Sequence, residues 1–344
     1  MAGRHRRLAA LTLAALALTG CASSAPRETV TPSPAPTTVA PTAEAVPTWP
    51  LTGVPGEDAE ERPAVAVKVE NTAMARPQTG LEEADVVWEE MVEGGITRFN
   101  AVFHSRLPEV VGPIRSVRPM DAGIVAPLGG PQVISGGQPL FLGSVQEAGV
   151  QLISHDAGHA GFFRSADRRA PHNLYGRLPE LLTQAEAAEP PPEQFSFAAD
   201  GEEATAVLEG EPATALRLSF PQTSPGWTWD GGADRWLRDE AGEPATSVAG
   251  DVLGAENVVV MRVEVVASEG RDQSGDAVPE TVMTGTGEAL VASGGRVVPA
   301  TWSKAALGEP VTLTTAAGDD VALAPGTTWV ELVPVDRGGV DVQR

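Results

Sequence analysis

The chain has one cysteine, Cys21, placed directly after the apolar run LAALTLAALALTG at residues 8–20. A single cysteine rules out an intrachain disulfide, so the fold must rest on burial, hydrogen bonds and ion pairs. Arg4, Arg6 and Arg7 precede the run. A positive start and a short apolar stretch have the form of a secretory signal, too short for a mature membrane span. The run ends at Leu18-Thr19-Gly20-Cys21, which has the form of a bacterial lipobox. Residues 1–20 are therefore expected to be a cleaved signal peptide. Cys21 is expected to become the lipidated N-terminus, with no thiol left in the fold.

Residues 21–62 are rich in Pro, Thr, Ser and Ala, then turn acidic at GEDAEE. They show no apolar period and read as a disordered tether. A flexible coil of this length spans roughly 35 Å, and an extended polyproline form about 120 Å. The formal net charge of the 344-residue chain is −22, and loss of residues 1–20 takes away three arginines and no acid, leaving −25. Such a surface is repelled by nucleic acid and anionic lipid, so nucleic-acid binding is excluded and membrane attachment falls to acyl chains.

Within residues 63–188, VAVKVEN, DVVWEEMV and ITRFNAVFHS read as strands, with Glu93-Gly94-Gly95 as a turn. Pro119 is placed to open a helix over PMDAGIVAPL. PQVIS and QLIS read as short strands around a helix opening at Pro139, and NLYGRLPELLTQAEAA has helical spacing. The expected class is α+β or α/β with a mixed sheet. EPPPE at residues 189–193 reads as a linker. Residues 194–344 carry β-like segments at regular spacing, among them WTWDGGADRWLRD with a hairpin at Gly231-Gly232. They are expected to form a separate, mostly-β domain, sandwich or barrel-like.

Charge is uneven. Between Arg98 and Arg177 eight arginines face five acids, and His104, His155, His159 and His172 all lie there. GPIRSVRPMD sets Arg115, Arg118 and Asp121 at steps of three. Arginine's planar fork suits carboxylate and phosphate oxygens, and a helix start at Pro119 would add free N–H groups. Two readings follow: a pocket for an anion, or a structural network in which Arg115 and Arg118 pair with Asp121, Glu89, Glu90 or Glu93. Glu89 and Glu93 share a strand face if the strand is regular, suited to neutralising Arg98 or to acid–base work. His155 and His159 have an H-x₃-H spacing, but Gly158 and Gly161 argue for a loop. Ser116 or Ser135 with His172 lacks a nucleophile elbow. Trp227, Trp229, Trp236, Trp302 and Trp329 suit a core, with a carbohydrate platform as the other use.

RPAVAVKVEN, ARPQTGLEEADVVWEEMVEGGITRF, GPIRSVRP and RRAPHNLY, followed by NVVVMRVEV, GGRVVPATWSK and PGTTWVELVP, resemble the YerB-like bacterial lipoproteins (DUF3048) in order and spacing. The resemblance covers nearly all of 63–337. It implies two domains of unknown function on a lipid-anchored protein outside the cytoplasm. Arg76, Gln78, Glu89, Glu93, Arg98, Arg115, Ser116, Arg118, Arg168, His172 and Asn173 fall in that family's pattern, and this favours a ligand pocket. The local order of strand, arginine turn and helix start also resembles LytR–CpsA–Psr phosphotransferases, although their magnesium site matches nothing beyond Asp85 or Asp121. The leading expectation is a lipoprotein that uses no cofactor or metal. It would bind an anionic envelope ligand, a polyprenyl phosphate or wall polymer, through Arg98, Arg115, Arg118, Arg168 and His172, with Glu89 and Glu93 orienting the arginines. The alternatives are an enzyme on a phosphorylated or carbohydrate envelope substrate, and a scaffold for another envelope protein.

Overall fold

The computed structural model describes residues 47–56 and 62–344 of the chain. The expected signal peptide, Cys21 and most of the expected tether lie outside the described residues. The tether reading needs one correction. Trp49 meets the His104 ring edge-on at 5.0 Å and Leu51 is fully buried, so residues 47–56 pack on the folded body.

The structure is rich in sheet and poor in helix. In the first half, β1 (Val65–Glu70), β2 (Val86–Met91) and β3 (Thr97–Phe103) are followed by helix α1 (Asp121–Val125), β4 (Gln132–Ile134), helix α2 (Pro139–Glu147) and β5 (Leu152–Ser154). A small hairpin, β6 (Phe162–Arg164) and β7 (Leu174–Gly176), leads to helix α3 (Leu178–Leu182). The helix expected from residue 173 onward is thus only five residues long, because Leu174–Gly176 pairs as a strand.

The second half supplies β8 (Ala215–Ser219), β9 (Pro225–Asp230), β10 (Arg235–Glu240), β11 (Asn257–Val263), β12 (Gly285–Ser293), β13 (Arg296–Lys304), β14 (Thr312–Thr314), β15 (Thr328–Pro334) and β16 (Gly339–Gln343). These strands do not close a sandwich of their own. The central mixed sheet runs β14-β13-β12-β11-β15-β2-β3-β1-β4-β5, so strands of both halves share it. The seam is the parallel pair β2–β15, in register from Val86 opposite Thr328 to Glu89 opposite Glu331. A smaller sheet, β10-β9-β8-β16, brings Trp227 and Trp236 into the core on one side of the central sheet. Helices α1 and α2 lie on the other side, over Val86, Trp88 and Val102. The described residues form one compact unit, and the expected linker does not divide it. Directly after it, Gln194 donates to the Pro127 carbonyl at 3.2 Å.

Strand alternation sends Glu89 and Glu90 to opposite faces of β2, both fully buried. On the helix side, Lys68 Nζ contacts Glu90 and lies 2.6 Å from Asp121 Oδ1, and Asn100 donates to both carboxylates. On the other side, Arg238 donates to Glu89 at 2.6 Å, Glu240 at 2.8 Å and Glu331 at 2.8 Å. Its guanidinium lies 4.8 Å from the Trp329 ring centroid, with Trp227 and Phe99 also near. Removing one partner from such a buried set costs about 3–5 kcal/mol, because the others keep an unmatched charge.

Two outcomes are expected. The 63–188 fragment will be unfolded by circular dichroism, because β2 loses β15 and Glu89 loses Arg238; a folded fragment would contradict the shared sheet. Burial, and then the Asp121 charge, raise the Glu90 carboxyl to about 8 from an ordinary value of 4.5. The folded state therefore keeps a proton that the unfolded chain releases. This stabilisation is complete below about pH 4.5 and declines towards pH 8, by at most about 1.4 kcal/mol per pH unit. Urea denaturation from pH 5 to pH 8 should show a shallower decline in Glu90→Gln than in the parent.

Candidate functional site

Strands β1, β4 and β5 are parallel, and their carboxyl ends lie together. In open α/β sheets this end of the strands, where neighbours part, is where ligands bind. β1 and β4 pair only over Ala66–Val67 with Gln132–Val133. Beyond that they diverge, and the segment 113–117 fills the gap. Glu70 N–H donates to Pro113 O and Arg115 N–H to Lys68 O, while Ser135 N–H donates to Arg115 O and Val117 N–H to Gly136 O. Gly112 starts the segment at φ 149°, where a Cβ would come within 2.9 Å of both the Tyr175 ring and the Leu174 carbonyl. Only glycine suits that turn. Ile114 and Val117 then point into the core, while Arg115 and Ser116 stay half-buried.

Arg115 forks onto Glu70, with both nitrogen–oxygen distances at 2.8 Å. His172 Nδ1 lies 2.7 Å from the same carboxylate and 3.1 Å from Arg115, and Thr72 donates to it at 2.6 Å. Burial would raise the Glu70 carboxyl, but the hydrogen bonds from Arg115 and Thr72 and the Arg115 charge hold it below the usual value. Arg118 forks onto Glu93 at 2.8 and 2.7 Å and donates to Val117 O at 2.7 Å. Glu93 is also held low: burial opposes this, and Arg118 outweighs it.

Arg98 differs. Its Nη1 donates to the Ser116 carbonyl at 3.0 Å, and no carboxylate among the described residues lies within 4.0 Å of it. Burial, followed by the Arg118 charge, lowers its pKa to about 10. Beside it the Ser116 and Ser135 hydroxyls lie 3.1 Å apart. Three guanidinium groups thus face two carboxylates, with hydroxyl donors adjacent.

Arg98, Arg115, Ser116, Arg118, Glu93 and His172 are therefore brought together, with Glu70 and Ser135 added by the fold. The other expected members are elsewhere. Glu89 does not orient these arginines, because strand alternation turns it to the Arg238 side. Arg76 is on that side too, 2.8 Å from Glu240. Arg168 donates to the carbonyls of Met74, Arg76 and Pro77. Asn173 accepts from Arg164 and donates to Ser165 O within the hairpin loop. The expected N–H groups of a helix at Pro119 are not free, since α1 starts at Asp121, whose carboxylate accepts the Arg118 N–H at 2.9 Å. Asp85 is spent on the His104 and Ser105 amides and the Ser105 hydroxyl. His155 pairs with Asp156 and His159 with the Ser154 backbone. The described residues hold no group of three or more His, Cys, Asp or Glu arranged for a metal ion.

Sequence reasoning passed over Lys68, Glu331 and Arg238. For Lys68 and Glu331 the available signal was a charge inside a valine-rich strand, VAVKVE or TWVELVP, where both faces are buried and a charge needs a partner.

Residues 51–191 match the family model described as "Protein of unknown function (DUF3048) N-terminal domain", and residues 216–330 match its C-terminal domain. A protein of Bacillus subtilis (strain 168) named "Putative lipoprotein YerB" is 37% identical over 139 residues, 40% of this chain. That alignment spans 42% of the relative's length. The crystal structure of the YerB protein from Bacillus subtilis matches with a TM-score of 0.72 at 25% identity, covering 86% of this chain and 99% of that one. With both domains matched in order, the chain belongs to the DUF3048 family of YerB-like proteins.

Proposed function

We propose that this protein is a lipoprotein, anchored through Cys21 on the outer side of the bacterial cell membrane, that holds an anionic envelope ligand at the strand-end arginines. The name of the Bacillus subtilis relative supports the anchor. No helix among the described residues is long and apolar enough to cross a membrane. The observation that carries the binding reading is Arg98, a half-buried cation with no carboxylate in reach among the described residues. Arg115 and Arg118, already matched by Glu70 and Glu93, flank it. A phosphate group of a polyprenyl phosphate or an anionic wall polymer supplies the missing negative charge. Arg98 meets its oxygens with charge-assisted hydrogen bonds, and the Ser116 and Ser135 hydroxyls add neutral ones.

The Arg115–Glu70 and Arg118–Glu93 ion pairs favour a second reading, in which the arginines only hold the strand ends together. The two readings separate by calorimetric titration of the mature chain with inorganic pyrophosphate, a short-chain prenyl phosphate and a phosphodiester wall polymer. The binding reading expects saturation by at least one of these, weakening with added salt. Arg98→Gln should lower that affinity by about tenfold or more, roughly 1.4 kcal/mol, at unchanged melting temperature. No binding by the parent, or equal binding by Arg98→Gln, would favour the structural reading. For the anchor, Cys21→Ser should move the protein from the membrane fraction to the soluble fraction; continued membrane retention would contradict it.

A further inference from the structure

In a chain with 46 acids against 24 lysines and arginines, the stretch Arg164–Arg177 carries Arg164, Arg168, Arg169 and Arg177 against one acid, Asp167. This stretch is most of the β6–β7 hairpin and all of its loop. Exposed arginines elsewhere find acids, as Arg337 finds Asp336 and Arg344 finds Glu211. None of the four hairpin arginines is paired with a carboxylate among the described residues.

The loop is held in place by backbone and side-chain contacts that leave its charge unmatched. Arg168 donates to the carbonyls of Met74, Arg76 and Pro77, and His172 Nδ1 lies 2.7 Å from Glu70. Arg164 gives one nitrogen to Asn173 Oδ1 at 2.9 Å. The Arg169 side chain is exposed and has no partner among the described residues. Arg177 is also exposed, with its guanidinium 4.7 Å from the Phe163 ring centroid. A guanidinium held over a ring keeps its N–H groups for an anion.

Between these charges the surface is apolar. Phe163 stacks on Tyr175 at 5.9 Å, and with Arg168, Pro77, Thr79 and Val248 they line an open groove of about 330 Å³. Phe163 is half-buried, and Pro77 and Val248 are exposed, so the groove can be reached from solvent. From Arg177 back to Asn173, where the loop with Arg168 and Arg169 ends, the chain runs four residues, about 13 Å. A single phosphate or pyrophosphate meets one end of this surface. A chain of phosphodiesters meets both, with its carbon backbone over Phe163. An acidic peptide would instead lay unpaired backbone N–H and C=O groups over that ring. The chain enters the folded body at residues 47–56, where Trp49 meets His104, just past the end of β3. Val65 pairs with Phe103 there, and Glu70, beside His172, is at the other end of β1. The hairpin therefore lies at the end of the sheet away from the proposed anchor, which favours a polymer over a lipid headgroup.

We propose that the β6–β7 hairpin is a docking surface for a phosphodiester polymer of the cell envelope, its charges met by Arg164, Arg169 and Arg177 and its uncharged links by the Phe163 groove. The surface adjoins the strand-end arginines through His172, but it does not depend on anion binding there.

The test is calorimetric titration of the chain from residue 21 onward with a poly(glycerol phosphate) oligomer. Glycerol 3-phosphate, poly-L-glutamate and phosphatidylglycerol vesicles are titrated alongside. The oligomer should saturate, at least about tenfold tighter per chain than glycerol 3-phosphate. Its binding should weaken with added salt. Arg169→Gln/Arg177→Gln should weaken the oligomer by about tenfold or more at unchanged melting temperature. Should that double variant unfold, Arg169→Gln alone, at a side chain that holds nothing else, should still cost about threefold. Arg98→Gln should keep binding the oligomer whether or not the parent binds pyrophosphate, so failure of the strand-end site is told apart from failure of this one. The proposal is overturned if the oligomer does not bind, or binds no tighter than glycerol 3-phosphate. Undiminished binding by the folded arginine variants would also overturn it, as would equal or tighter binding of poly-L-glutamate or the vesicles.

Discussion

Two glutamates in succession, Glu89 and Glu90, are buried in one strand, and most of the structure answers the demand they create. A buried carboxylate must find a cation or keep a proton. On one face Lys68 reaches Glu90 and Asp121 within the first half of the chain. On the other face the partly exposed Arg76 of the first half reaches Glu240 rather than Glu89. The cation for Glu89 is Arg238, which arrives from the second half and also binds Glu331. That requirement draws β15 against β2 and makes two family domains into one sheet.

The same logic of local neutrality accounts for the proposed binding site. Arg115 and Glu70, and Arg118 and Glu93, pair one to one where β1 and β4 part. Arg98 is brought to the same place by its register on β3, opposite Glu90 on β2 and Glu70 on β1, but both carboxylates are engaged elsewhere. It is left with a backbone carbonyl. A positive site in so acidic a protein therefore arises from a local shortage of one carboxylate, and the two neighbouring pairs hold it rigid.

Much of this was legible in the sequence. VAVKVE, DVVWEEMV and ITRFNAVF alternate or run apolar as strands do, and GPIRSVRP carries the glycine its turn requires. Arg98, Arg115, Ser116, Arg118, Glu93 and His172 were grouped by charge density and family pattern, and the fold brings them together. What could not be read was which strands pair across long separations. Glu89 and Glu93 looked alike in sequence, but Gly94 and Gly95 turn the chain with positive φ just past Glu93, which sits in that turn rather than on the strand face. The second half read as its own domain because its strands are regularly spaced. Spacing carries no information about a parallel partner more than two hundred residues away, such as Trp329 beside Val87.

The claim of a positive site at Arg98 is tested most directly by a crystal structure of the chain from residue 21 onward grown with inorganic pyrophosphate. The account predicts phosphate oxygens within about 3 Å of the Arg98 guanidinium. It also predicts that Arg115 stays on Glu70 and Arg118 on Glu93. A structure in which Arg98 has turned onto one of those carboxylates, with no anion beside it, would contradict the account.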